Sequence, residues 1–148
     1  MILISSCLLG LNCKYNGGNN YNEKIFELLK NKEIIPVCPE QLGGLQTPRV
    51  PAEIRYIDGE RYVYSKDNID VTNNFERGAK EVLELSKRLG IKKAILKARS
   101  PSCGHGKIYN GMFKKELVDG NGVLAQLLID NGIEVISDEE YLEQMEKK

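Results

Sequence analysis

The sequence predicts an α/β domain: a three-layer α/β/α, Rossmann-like arrangement with a mostly parallel sheet and a small β-hairpin insertion. Three observations carry that expectation. Short runs rich in Ile and Val alternate with segments of helical apolar spacing along the whole chain, the order in which parallel strands and their covering helices follow one another. One pair of Tyr- and Ile-containing runs flanks Asp58–Gly59, a strong hairpin-turn signal. The 148 residues contain no linker, repeat or low-complexity tract, so the chain reads as one domain over 1–148, long enough to bury a core without staples.

The elements follow in order. "ILIS" (2–5) and "EIIPV" (33–37) are short apolar runs, and "NEKIFELLKNK" between them has apolar residues at 25, 28 and 29. That order makes a βαβ unit with parallel strands. "EIRYIDGERYVYS" (53–65) is the hairpin. The clearest helix follows, with Asp70 or Thr72 as its cap and Val71, Phe75, Ala79, Val82, Leu83 and Leu89 along one face. Gly90 ends it. "KKAILKA" (92–98) is a buried strand, "GVLAQLLID" (122–130) a helix with Leu127 and Leu128 in the core, closed by Asn131–Gly132. "IEVIS" (133–137) is the last strand and "DEEYLEQMEKK" (138–148) a polar terminal helix.

Composition narrows the function classes. Hydrophobic residues make up 41% and charged residues 28%, as in ordinary globular proteins. Lys plus Arg and Asp plus Glu balance at 21 each, which argues against extensive nucleic-acid binding through phosphates. No apolar run approaches the roughly 18 residues of a membrane span, and "MILISSC" lacks the basic start of an exported leader. The expected compartment is the cytoplasm, where cysteines are more often metal-binding or catalytic than paired in disulfides.

The chain has four cysteines. Cys7 follows the first expected strand, Cys38 the second, and Cys103 lies in the polar loop "SPSCGHG" beyond the third. Ligands of open α/β sheets bind outside the carboxyl ends of strands, where the strand order switches. If these strands are neighbours, the three thiols converge on one crevice. Position six after each cysteine is Cys13, Gly44 or Tyr109, so a phosphatase loop of the Cys-x5-Arg type is excluded. The Cys-x-x-Cys spacing of thiol exchange is absent as well. Paired cysteines of a structural zinc site are also missing. Three thiolates without a close fourth partner suit an iron–sulfur cluster with one open iron, which stands here beside zinc, a reactive thiol and ordinary free cysteines.

Four blocks, "SCLLGLNCKYNGGNN", "VCPEQLGGLQTPRVPAEI", "DVTNNFERGA" and "LKARSPSCGHGKIYNGMF", resemble the thiouracil desulfidase family, and the resemblance runs from Met1 to about Ser137. It implies a [4Fe-4S] cluster held by Cys7, Cys38 and Cys103, with the remaining iron free to take the sulfur of a thiolated uracil. It further implies hydrolytic exchange of C=S for C=O on a base, nucleoside or nucleotide, without net redox change. Glu40, the acid of "CPE", becomes the candidate proton shuttle and Ser102 the group that polarises water or substrate, with Ser100 a weaker candidate. Gly104 and Gly106 would let backbone N–H groups approach sulfides or an anion. The chain reads Lys14 and Asn16 where members commonly carry Arg and Asp, so a relay using that acid is not expected. A small thiopyrimidine is the expected partner. Thiolated tRNA, the choice of 2-thio or 4-thio substrate and the oligomeric state stay open.

Each feature also has a plainer role. Cys13 can be a fourth ligand, and is favoured here as a reserve thiol or a small packed hydrophobe. His105 is expected to hydrogen-bond to backbone or solvent. Glu40 can cap the helix or turn after Cys38. Arg49 is expected either to pair with Glu53 across the surface or to contact an anion, and Arg99 shares that ambiguity. Tyr15 and Tyr21 can stack on a pyrimidine, and the Gly pairs at 17–18 and 43–44 are turn signals first. The rival to catalysis is a non-enzymatic zinc, iron–sulfur or redox-sensing module.

Overall fold

A computed structural model of the chain describes residues 1–147; Lys148, the last residue of the expected terminal helix, lies outside the described residues. The elements run β1 (Ile2–Ser5), α1 (Glu23–Leu29), β2 (Ile34–Val37), α2 (Pro39–Leu42), β3 (Ala52–Ile57), β4 (Glu60–Ser65) and α3 (Thr72–Leu89). They continue with β5 (Lys93–Leu96), β6 (Lys107–Tyr109), β7 (Leu117–Asp119), α4 (Val123–Asp130), β8 (Glu134–Ser137) and α5 (Asp138–Glu146). The central sheet has the order β2-β1-β5-β8, and each neighbouring pair is parallel. Two antiparallel hairpins, β3–β4 and β6–β7, stand apart from it.

Alternation along each central strand makes two cores. Leu3, Ala94, Leu96 and Val135 face Phe75 and Val82 of α3 and Leu124 and Leu128 of α4. Ile4, Ile95 and Ile136 face Ile25 and Leu29 of α1 and Tyr141 of α5. Side chains of this size, fully buried, contribute about 1.5–3 kcal/mol each, so both faces of the sheet are held by helices. Among the described residues, no helix is long and apolar enough to cross a membrane.

Local chemistry explains the element ends. Asp70 accepts the Thr72 N–H at 2.9 Å, while the Thr72 hydroxyl accepts the Val63 N–H at 2.9 Å and staples α3 to β4. Neither is the cap expected: Val71 holds that position without a side-chain bond, Asp70 makes a local turn just before it, and Thr72 is the staple. Leu89, expected on the buried face, is exposed; the chain turns at Gly90 in the left-handed region and buries Ile91 in its place. Asp58 and Gly59 both have positive φ, the two-residue turn that matches strand twist. Two elements were not expected from sequence, the 3-10 turn Ser6–Leu9 and the β6–β7 hairpin, while α2 is the helical form of the helix or turn expected after Cys38. All three residues of β7 are exposed, so it offers no apolar alternation to read; Asn110–Gly111 is the one signal that marks the turn region.

Candidate active site

β1 is flanked by β2 on one side and β5 on the other, so the strand order switches between β1 and β5. Cys7 sits in the 3-10 turn after β1, Cys38 directly after β2, and Cys103 in the loop after β5. All three line one cavity of about 420 Å³, together with Cys13, Glu40, Arg49, Ser100 and Ser102. The convergence expected from strand ends is thus met.

Each thiol-bearing segment is tied down by backbone groups. Asn20 folds back on Cys7, its N–H donating to the Cys7 carbonyl at 3.0 Å and its Nδ2 to Sγ at 3.4 Å. The Cys38 thiol donates to the Cys13 carbonyl at 3.6 Å. Behind it, α2 rests on α3 at Gly78, where an added Cβ would lie 1.8 Å from the Pro39 carbonyl oxygen. A mid-helix glycine costs about 0.5–1 kcal/mol against alanine, and here that cost lets two backbones meet.

The Cys103 loop caps α4. Its Pro101 carbonyl accepts from Val123 N–H, and its Ser102 carbonyl from Leu124 and Ala125, satisfying donors that a helix start leaves orphaned. The loop is also bracketed by three consecutive acids that open α5. Asp138 accepts the Ala98 N–H at 2.8 Å, Glu139 takes Arg99 in two contacts of 2.9 and 2.7 Å, and Glu140 meets His105 Nδ1 at 2.6 Å.

Glu40 is the hub of the polar network. Its Oε1 accepts from Arg49 Nε at 3.2 Å and its Oε2 from the Ser102 hydroxyl at 2.8 Å. Ser102 Oγ lies 3.7 Å from Cys103 Sγ and 3.0 Å from Ser100 Oγ. Ser100 Oγ accepts the backbone N–H groups of Ser102 and Cys103. A hydroxyl that already accepts two donors has its proton free to give, so the chain runs Ser100 to Ser102 to Glu40.

Several side-chain expectations change. Arg49 pairs with Glu40 and not with Glu53, which instead accepts the Gly111 and Phe113 N–H groups; the β6–β7 hairpin, unread in the sequence, occupies Glu53. Arg99 takes the surface-pair alternative, with Glu139, and His105 bonds to the Glu140 carboxylate, a partner the sequence did not suggest. Gly104 N–H donates to Ser100 O and Gly106 N–H to Asn121 Oδ1, so neither points at a ligand. Asn16 lies outside the cavity lining and accepts Gly18 N–H in a local turn. Tyr15 lines the cavity, whereas Tyr21 packs on Phe26. Cys13 is buried beside Ser6 Oγ at 3.2 Å and lines the cavity with the other thiols. Sequence reasoning missed Tyr109, Phe113, Lys66, Lys97 and Lys115 in the lining; the lysines carry no local motif, and the aromatics sit on the unread hairpin.

Burial and neighbours set the thiols apart. The Cys13 side chain, then the Asn20 amide, hold the Cys7 thiol below its ordinary value. The Cys13 side chain and burial push Cys38 up, and burial pushes Cys103 up to about 12. A thiolate at Cys103 therefore needs a positive partner close by.

Comparison with known proteins adds three findings. A family model described as 2-thiouracil desulfurase matches residues 2–140. The uncharacterized protein YbbK of Bacillus subtilis (strain 168) is 43% identical over 146 residues, covering 95% of this chain and 97% of that protein. Among solved structures, the [4Fe-4S]-dependent thiouracil desulfidase TudS superposes with a TM-score of 0.85 at 40% identity, covering 96% of this chain and 93% of the other.

Proposed function

The chain belongs to the 2-thiouracil desulfurase family, and on that premise we propose that it is a [4Fe-4S]-dependent desulfidase acting on a thiolated uracil. The observation that carries the proposal is one cavity lined by three strand-end thiols beside a Glu40–Ser102 pair. The donor set fits the cluster: three soft sulfurs form the set that iron–sulfur centres use. Cys7, Cys38 and Cys103 would hold it, and residues 1–148 would act as one desulfidase unit. When bound, the cluster supplies an iron without a protein ligand, a Lewis-acid position suited to the substrate's sulfur.

The rest of the chemistry falls to the chain. Hydrolysis adds a water oxygen to the thiocarbonyl carbon, breaks the carbon–sulfur bond and passes both water protons to the departing sulfide. Glu40 takes the first proton from water and returns it to sulfur, a general acid–base role. Ser102 fixes Glu40 Oε2 and stands next to Cys103, linking the acid–base group to the thiol wall. Tyr15, Tyr109 and Phe113 supply aromatic faces for a pyrimidine. Lys14, Lys66, Lys97 and Lys115 also line the cavity, and none of them forms an ion pair among the described residues. Four unpaired cations around one mouth favour a nucleotide over the free base. Free thiols and an oxygen-sensitive cluster suit the cytoplasm.

The test is anaerobic reconstitution with iron and sulfide, then iron and labile-sulfide counting and turnover of 2-thiouracil and its nucleotides. Cluster and activity should disappear together in Cys103→Ala. Glu40→Gln should keep the cluster and lose about 10²–10⁴-fold in kcat. Zinc in freshly prepared anaerobic protein, with no thiopyrimidine turned over, would replace the desulfidase by a metal-binding module.

A further inference from the structure

Arg49, for which the sequence suggests a surface pair with Glu53 or an anion contact, instead pairs with Glu40 inside the cavity wall. Its side chain is 8% exposed and that of Glu40 17%. Nε donates to Glu40, Nη1 to Gln46 O and Thr47 Oγ1, and Nη2 to Cys13 O at 2.8 Å. Four of the five guanidinium donors are therefore committed to the protein, which leaves little for a substrate phosphate. These contacts join three separate segments. Cys13 belongs to the stretch after β1, Glu40 to α2 after β2, and Gln46 and Thr47 to the loop that carries Arg49 itself.

We propose that Arg49 is the positioning residue of the site: its guanidinium, anchored on Gln46, Thr47 and Cys13, presents Nε to Glu40 Oε1 and so places the carboxylate with Oε2 on Ser102. The proposal rests on the acid–base role given to Glu40 above. A carboxylate has two oxygens in one plane. With Oε1 held by Nε and Oε2 by the Ser102 hydroxyl, both oxygens are fixed. Lysine keeps the charge at this position but is a point donor without the fork, so it leaves the carboxylate free to turn. The same guanidinium fixes the Cys13 carbonyl at 2.8 Å, which ties the acid to the segment after β1 that carries Cys7 and Cys13.

The experiment compares reconstituted Arg49→Lys, Glu40→Gln and the double variant with the parent, using 2-thiouracil and counting iron and labile sulfide in each. Arg49→Lys should hold a full cluster, lose about 10–100-fold in kcat and leave KM unchanged. The double variant should be no slower than Glu40→Gln alone, because Arg49 acts through Glu40. A crystal structure of Arg49→Lys should show the 2.8 Å Glu40–Ser102 contact broken. Parental kcat in Arg49→Lys, or losses that multiply in the double variant, overturn the proposal while leaving the desulfidase reading intact. Full activity in Glu40→Gln overturns it from the other side, by removing the acid it serves. Glu40→Asp covers the case in which Arg49→Lys does not fold: one methylene shorter, its carboxylate should stay on Arg49 and release Ser102, with turnover slowed. A carboxylate that stays on Ser102 and leaves Arg49, at full turnover, refutes the anchoring role.

Discussion

Two Arg–Glu pairs flank the same cavity, and they are built differently. Arg49–Glu40 has side chains 8% and 17% exposed, while Arg99–Glu139 has side chains 35% and 53% exposed. Both lie close to a thiol-bearing segment. The inner pair is desolvated and meshed with backbone carbonyls on one side and a serine on the other. The outer pair is a fork on a fork at the surface, joining the Cys103 loop to the first turn of α5. Opposite charges in contact thus do two jobs. Half-buried, the pair holds a carboxylate in one place between a guanidinium and a serine; exposed, it adds a tether that solvent largely screens.

Breaking the inner pair should have the largest effect. Arg49→Ala leaves a half-buried carboxylate without its counter-charge and removes the contacts to Gln46, Thr47 and Cys13, and about 1.5–3 kcal/mol of stability should be lost, read as a lower urea midpoint with the slope unchanged. Disturbing the support beneath that pair comes next. Gly78→Ala places a Cβ 1.8 Å from Pro39 O, so α2 must move; about 1–3 kcal/mol should be lost, with kcat falling because Glu40 rides on α2. Unchanged kcat in that variant would mean that α2 need not be seated to place the acid. Breaking the outer pair should do least. Glu139→Gln should cost under about 1 kcal/mol in the same urea measurement.

The outer pair also has a predicted pH signature. Arg99 holds the Glu139 carboxyl below its ordinary 4.5. A carboxyl depressed in the folded state stabilises the protein above its unfolded value, and that contribution fades as pH falls through the folded value. Stability against pH should therefore decline slightly less steeply on the acid side in Glu139→Gln than in the parent. An identical acid limb in the two proteins would show that the exposed tether contributes nothing measurable.

Much of the frame was legible in the sequence. β1, β2, β5 and β8 fall on the four apolar runs, and α3 on the one long stretch of helical spacing, because burial against a sheet leaves a period in the residues themselves. Asp58–Gly59 announced its turn because few other residues adopt those backbone angles. The thiols at strand ends could be placed at one crevice for the same reason: parallel strands put all their carboxyl ends on one side. The β6–β7 hairpin left no such trace, since β7 is exposed throughout. With it went the aromatic lining from Tyr109 and Phe113 and the true partner of Glu53.

Residue identities and local period determined the central strands, the main helices and the three converging cysteines, and the resemblance to a known family named Glu40 as the candidate acid. Only the tertiary structure decided which charge meets which. Ser102 reaches Glu40 across 62 positions of chain and Glu140 takes His105 across 35, while Arg49 bonds to Glu40, not to the nearer Glu53. A local pattern records which face of an element is buried, because that is a property of its own residues. The partner of a polar side chain is set by how distant segments close on one another, and no short window of sequence contains that closure.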